Sequence, residues 1–130
     1  MTPSWDRFAD AFLNTRVIAK YLPDIVAGFE LTVLLAALIV VAGIALGLAL
    51  AMLRSLGIRP LNWLIIFTVD LFRALPPLVI IVLLFFGLPQ LGLLPGAFAV
   101  TWASLTLVLM AFAEEIFWAG ITSIPRGQWE

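Results

Sequence analysis

Few residues in this chain could do chemistry, and the most prominent are Asp70 and Arg73. They are three positions apart in an otherwise apolar stretch, so on a helix they share one face. An ionisable residue in a long apolar helix usually faces a partner or water, so the pair either lines a polar pathway or lies at a membrane interface. In the second case Arg73 extends towards the lipid headgroups. The residues alone leave both interpretations open.

The remaining candidates do not form a catalytic site. Glu114 and Glu115 are neighbours that point about 100° apart on a helix, so we interpret them as the polar end of an apolar segment. The 130 residues include no Cys and no His, which excludes disulfides, thiolate metal sites and imidazole proton transfer. With no nucleophile–base pair and no phosphate-binding glycine loop, the sequence predicts no catalytic residue, no metal site and no enzyme activity.

Composition places these residues in a membrane protein. Apolar residues make up 64% of the chain and charged residues 12%, against about 45–50% and 25% in soluble domains. A soluble fold of this size has too little interior to bury the long apolar run of residues 31–113, which contains four charged side chains: Arg54, Arg59, Asp70 and Arg73. Soluble and disordered classes are therefore excluded. A net charge of −1 also argues against binding to nucleic acid.

Three apolar blocks predict three transmembrane helices and an all-α integral membrane fold, with spans at about residues 31–53, 61–88 and 97–116. The first has 23 residues without a charge, which is about 35 Å of helix against about 30 Å of hydrocarbon. In the second, Pro76 and Pro77 disrupt helical hydrogen bonding, so we expect two differently directed pieces of one crossing.

Residues 1–30 are predicted to be a separate N-terminal segment before the transmembrane domain of residues 31–130. Trp5, Phe8 and Phe12 follow a helical spacing with charged residues off that line, which is typical of a helix in the membrane interface. A loosely ordered terminus is the alternative.

Orientation and packing follow from two smaller patterns. Lys and Arg near the span ends, three against two, favour an N-terminus outside the cell, with residues 54–60 and 114–130 in the cytoplasm. In the first span, Gly43, Gly47 and Ala51 place small residues on one face. That spacing lets helices pack closely in lipid, so we predict a helix-packing face there.

The end of the chain resembles the start of the EAA loop, which marks the membrane subunits of ATP-binding cassette (ABC) importers. Residues 115–130 read EIFWAGITSIPRGQWE, similar to the pattern E-I-x-R-G-G-I-x-S-[IV]-P-x-G-Q-x-E-A-A of the polar amino acid permeases. Residues 72–78 and then 86–89 resemble the F-R-G-T-P-L-L…F-G-L-P of that branch, and residues 28–33 resemble its G-x-x-x-T-[LV] start of the first span. The resemblance covers residues 24–130.

The sequence departs from the family pattern at three positions. Trp118 stands where the family usually has Arg, Leu75 replaces Thr, and Ile80 replaces a frequent Gln. The last two make the second span less polar than usual. Because Glu130 is the first letter of E-A-A, the resemblance implies that a coupling helix and two further spans follow. This chain is then expected to be the N-terminal part of a five-span type I importer permease.

The resemblance also implies a function and partners. Two permease subunits, alike or different, form a path across the bacterial cytoplasmic (inner) membrane. A periplasmic or lipoprotein substrate-binding protein delivers a polar amino acid, and ATP-binding subunits dock on the EAA loops, so ATP is used by a partner and no cofactor is expected on this chain. The implied path or gate residues are Asp70, Arg73 and Pro76. The implied ATPase-coupling residues are Gly120, Ile121, Pro125, Gly127, Gln128 and Glu130.

Two other functions remain open at this point. One is a small secondary carrier or channel with Asp70 and Arg73 as its ionisable centre. The other is a structural membrane subunit without a pathway of its own. The sequence does not indicate which amino acid an importer of this kind would carry.

Overall fold

The structure is a computed structural model that describes residues 4–124. Within that range all regular secondary structure is helical, which confirms the predicted all-α fold class. The helices are α1 (Ser4–Phe12), α2 (Thr15–Ser55), α3 (Arg59–Ala74), α4 (Pro77–Gln90) and α5 (Ala97–Thr122). The chain divides into two compact units, Met1–Leu34 and Leu35–Glu130.

The first unit contains α1 and the beginning of α2. Asn14 lies between them and caps α2, since its Oδ1 accepts a hydrogen bond from the backbone N–H of Arg16 at 3.1 Å. On α1 the ring centroids of Trp5 and Phe8 are 5.4 Å apart, and those of Phe8 and Phe12 are 4.8 Å apart. All three rings are exposed, so α1 carries the aromatic stripe that the spacing predicts. Its position at a membrane interface stays a prediction.

Helix α2 is longer than the first predicted span. It has 41 residues, begins at Thr15 and continues through Pro23. The uncharged residues 31–53 are therefore one part of a continuous helix. The predicted boundary between residues 30 and 31 falls inside that helix rather than in a loop.

Helices α3 and α4 occupy the second apolar block and are bent by 103° relative to each other. Leu75 between them is extended, with φ −90° and ψ 133°, and α4 begins with Pro77 directly after Pro76. Proline lacks the N–H that a continuing helix needs, and it disfavours the helical conformation in the residue before it. The break predicted at Pro76 and Pro77 is therefore confirmed.

A tight turn reverses the chain after α4. The N–H of Gly92 donates to the carbonyl of Pro89 at 3.0 Å, and the N–H of Leu93 donates to the carbonyl of Leu88 at 3.1 Å. This hydrogen-bond pair closes a helix with a left-handed residue just beyond its end, and Gly92 has the required φ of +80°. Only six residues then separate α4 from α5.

Helix α5 is the element on which α3 and α4 pack. Ile65 and Val69 of α3 form a buried apolar cluster with Ala111 of α5. Three half-buried side chains complete this cluster: Leu50, Leu61 and Phe72. The second unit therefore has its apolar core where α3 meets α5, close to the end of α2.

Candidate functional site

The small-residue face of α2 lies directly against α5. A Cβ added to Gly47 would lie 2.6 Å from the Cβ of Ala113, and one added to Gly43 would lie 2.8 Å from side-chain atoms of Leu109. Ala51, one turn further on, is completely buried. Glycine therefore brings the two backbones closer than any other residue would allow.

These contacts also fix the relative direction of the two helices within the second unit. Gly43 lies beside Leu109, and Gly47 lies beside Ala113. Four residues further along α2 correspond to four residues further along α5, so the helices run parallel and finish at the same side. The charged residues of the site lie in the last turn of α2 and about two turns before the end of α5.

Arg54 lies at the end of the small-residue face and binds two adjacent carboxylates. Its Nη1 is 3.1 Å from Oε1 of Glu114 and 3.3 Å from Oε1 of Glu115. The side chain of Glu114 has 0% exposure and that of Arg54 13%. Glu114 therefore has a structural contact in addition to its predicted place at the polar end of an apolar segment, because its carboxylate is enclosed between α2 and α5.

The Trp118 ring covers the other side of the Arg54 guanidinium, whose Cζ is 4.4 Å from the ring centroid. A cation over an indole face is stabilised by the ring quadrupole. An arginine at this position, as the resemblance leads us to expect, would instead bring a second positive charge towards Arg54. The tryptophan thus fits the local charge distribution.

Arg73 extends the same network to α3. Its Nη1 is 3.0 Å from Oε2 of Glu115 and 4.0 Å from Oδ1 of Asp70. Its guanidinium also lies 5.7 Å from the ring centroid of Phe112. The pair predicted on one helix face is present, but the nearer partner of Arg73 is on α5. We refer to Arg54, Arg73, Glu114 and Glu115 as the arginine–glutamate cluster.

The arginine–glutamate cluster can hold helices together. Two guanidinium groups balance two carboxylates, and they join α2, α3 and α5. Among residues 4–124, no three His, Cys, Asp or Glu side chains are placed to hold one metal ion. Opposite charges that bind and satisfy each other in this way fix the position of the helices that carry them.

Comparison with known proteins shows that this chain is similar to the permease subunits of amino acid transporters. The chain is 32% identical over 118 residues to the probable glutamine ABC transporter permease protein GlnM of Bacillus subtilis, covering 91% of this chain and 55% of GlnM. It is 32% identical to the arginine transport system permease protein ArtQ of the same organism, with 84% of this chain and 50% of ArtQ covered. No family model matches the chain.

A solved structure agrees with these relatives. The crystal structure of an amino acid ABC transporter with histidines matches with a TM-score of 0.79 and 30% identity, over 86% of this chain and 52% of the other. The chain is a homologue of amino acid ABC transporter permeases. The resemblance seen in the sequence is thereby confirmed. The homologue spans about half the length of the curated relatives that it matches, and its apolar helices make it a multi-pass membrane protein.

The remaining predicted site residues of the permease homologue lie at the helix break and at the end of α5. Pro76 is the residue before α4. Gly120 and Ile121 are in the last turn of α5, where the N–H of Ser123 donates to the carbonyls of Ala119 and Gly120. Four predicted coupling residues lie outside the described residues: Pro125, Gly127, Gln128 and Glu130.

Sequence reasoning missed the pairing of Arg54 with Glu114. The two residues are 60 positions apart, and their contact depends on the parallel packing of α2 and α5. One signal was available, because Arg54 falls on the same helix face as Gly43, Gly47 and Ala51. In this chain the small-residue face ends in Arg54, and the helix packed against that face carries the carboxylate of Glu114.

Proposed function

We propose that the permease homologue forms part of the membrane path of an ABC importer for polar amino acids in the bacterial cytoplasmic membrane. A second permease subunit would complete the path, a substrate-binding protein would deliver the amino acid, and an ATP-binding subunit would drive transport. The observation that carries the proposal is the similarity to several amino acid permeases together with the match to a solved amino acid transporter.

The arginine–glutamate cluster supports this proposal. An importer driven from a separate subunit needs a rigid connection between the spans and the segment that contacts the ATPase. Glu114 lies just before the segment that resembles an EAA loop, Glu115 is the first residue of that segment, and they bind arginines from α2 and α3. Movement of that segment would thus be passed to three helices at once, rather than to α5 alone.

Two sets of residues receive roles under this proposal. Asp70, Arg73 and Pro76 would lie at a mouth or gate of the path, where the α3–α4 bend meets the arginine–glutamate cluster. The end of α5 and the segment after it would contact the ATP-binding subunit through Gly120, Ile121, Pro125, Gly127, Gln128 and Glu130. ATP would be bound by that partner and not by this chain.

The relatives suggest the class of substrate, and experiment must identify which amino acid of that class is transported. They are named for glutamine, arginine and L-cystine, which share the α-ammonium and α-carboxylate groups and differ in side-chain charge. The proposal is therefore an amino acid with a polar side chain. A panel of these three amino acids covers neutral, cationic and sulfur-containing candidates.

The test is reconstitution in liposomes. A permease containing this sequence is combined with its ATP-binding subunit and its substrate-binding protein, and radiolabelled uptake and ATP hydrolysis are measured for each amino acid. We expect uptake of at least one amino acid that requires ATP, together with ATP hydrolysis stimulated by the loaded binding protein. The matched control replaces the ATP-binding subunit by a variant that cannot hydrolyse ATP.

Two results would contradict the proposal. Uptake driven by an ion gradient without ATP would indicate a secondary carrier. Stable assembly of the three components without stimulated ATP hydrolysis or uptake of any amino acid would indicate a structural subunit.

A further inference from the structure

We propose that α3 lies in the plane of the membrane, along the lipid headgroup boundary at which α2 finishes, and that α4 alone makes the second crossing. The proposal concerns how the second unit contacts lipid. It rests on the chain being a membrane protein and is independent of what, if anything, is transported.

The depth of Arg73 in the membrane follows from its ion pairs. Arg54, in the last turn of α2, and Arg73, in the last turn of α3, bind the two oxygens of one carboxylate, that of Glu115, at 3.3 and 3.0 Å. Their guanidinium groups therefore lie side by side. Arg73 is consequently at the depth at which α2 finishes, not deeper in the hydrocarbon.

The course of α3 is constrained by the position of its two ends. If α3 ran along the membrane normal, the 14 residues from Arg59 to Arg73 would rise about 21 Å, roughly two thirds of the hydrocarbon thickness. The structure instead places both ends of α3 near the end of α2. Only residues 56–58 separate Arg59 from Ser55, and Arg73 shares the Glu115 carboxylate with Arg54. A helix that begins and ends at one level runs across the membrane normal and not along it.

The length of α4 matches most of one crossing. Glu115 is 18 residues beyond Ala97, the first residue of α5, which is a distance of about 27 Å along that helix. The 14 residues of α4 supply about 21 Å, and the six residues that follow them complete the return. Since α4 packs on α5 and is bent by 103° from α3, α4 covers the crossing and α3 adds nothing to it.

The two helices also differ in their chemistry. α3 carries three charged residues, Arg59, Asp70 and Arg73, whereas α4 carries none. Trp63 and Asp70 share one face of α3 and are 75% and 66% exposed. Tryptophan beside a charged side chain suits the headgroup boundary, whereas an exposed carboxylate facing hydrocarbon would be costly.

The experiment measures depth in the bilayer by electron paramagnetic resonance, using the natural absence of Cys. The chain is reconstituted in lipid bilayers with one nitroxide label per variant, and label accessibility to oxygen and to a water-soluble nickel chelate gives depth. The labelled substitutions are Trp63→Cys, Phe67→Cys and Ala74→Cys on α3, and Leu78→Cys, Val82→Cys and Phe86→Cys on α4. All six positions are exposed.

We expect the three α3 labels to report one depth within a few ångströms, near the headgroups. The α4 labels serve as the internal control and should differ by about 12 Å from first to last. If Trp63→Cys does not fold, Leu64→Cys, also exposed, replaces it. A depth that changes by about 16 Å from position 63 to position 74 would overturn the proposal, because α3 would then be part of the crossing.

Discussion

The arginine–glutamate cluster contains two ion pairs, which use the same chemistry in different surroundings. We call Arg54–Glu114 the buried arm and Arg73–Glu115 the exposed arm. Arg54 binds Glu114 at 3.1 Å with both side chains enclosed, at 13% and 0% exposure. Arg73 binds Glu115 at 3.0 Å, but these side chains are 35% and 38% exposed. Distance alone would rank the two pairs as equal. Burial makes the first pair a fixed structural contact, whereas the second pair can separate and bind water instead. Substitutions in the two pairs should therefore differ in their effect.

The largest effect is expected from Arg54→Ala. The substitution leaves the Glu114 carboxylate buried without its cation, and an uncompensated buried charge costs about 3–5 kcal/mol. The free energy of unfolding, measured by titration with a denaturing detergent, should fall by about that amount. Arg59→Ala is the matched control, since Arg59 is exposed at the start of α3. A control that loses as much as Arg54→Ala would show that loss of any arginine, not burial, is responsible.

The next largest effect is expected from Gly47→Ala, in the small-residue face of α2 that ends at Arg54. The new methyl would lie 2.6 Å from the Cβ of Ala113, so α2 and α5 must separate, at about 1–3 kcal/mol for overpacking. Gly87→Ala in α4 is the control, because an added Cβ there meets nothing within 4 Å. Unfolding titrations should show loss for the first variant and no loss for the second. Equal stability of Gly47→Ala and the original chain would argue against close α2–α5 packing.

A smaller effect is expected from Trp118→Leu. This change removes the ring face from the Arg54 guanidinium and should lower the free energy of unfolding by about 0.5–2 kcal/mol. Trp118→Phe retains a ring and should lose less. If the two variants were equally destabilised, the contribution of Trp118 would be its volume and not its interaction with the cation.

The smallest effect is expected from Arg73→Gln. Its ion pairs are partly exposed, and such pairs contribute about 0–1 kcal/mol. Glu115 also retains Arg54 as a partner. The same unfolding titration should therefore place Arg73→Gln close to the original chain. A loss similar to that of Arg54→Ala would mean that the two arms are equivalent.

Local sequence patterns predicted the features of the fold that depend only on residues close together in the chain. Gly43, Gly47 and Ala51 mark a packing face because their spacing matches the helical repeat. Pro76 and Pro77 mark the break because proline acts on its own backbone. In both cases the information is carried by residues close together in the sequence.

Features that depend on distant residues could not be predicted in the same way. The Arg54–Glu114 contact needs the parallel packing of two helices, and sequence spacing says nothing about which helix packs on which. The direction of α3 could not be predicted, because residues 61–88 form one apolar block. A single crossing with a break and two helices at a steep angle to each other have the same composition. The role of Trp118 could not be predicted without the position of Arg54, whose guanidinium lies over the Trp118 ring.

Two double-mutant cycles, measured in parallel, test the difference between the two arms most directly. One combines Arg54→Met with Glu114→Leu, and the other combines Arg73→Met with Glu115→Leu, with free energies of unfolding measured for all single and double variants. We expect a coupling energy above about 1.5 kcal/mol for the buried pair and below about 1 kcal/mol for the exposed pair. Equal coupling energies, or a larger one for Arg73 and Glu115, would contradict the conclusion that burial fixes one arm and frees the other.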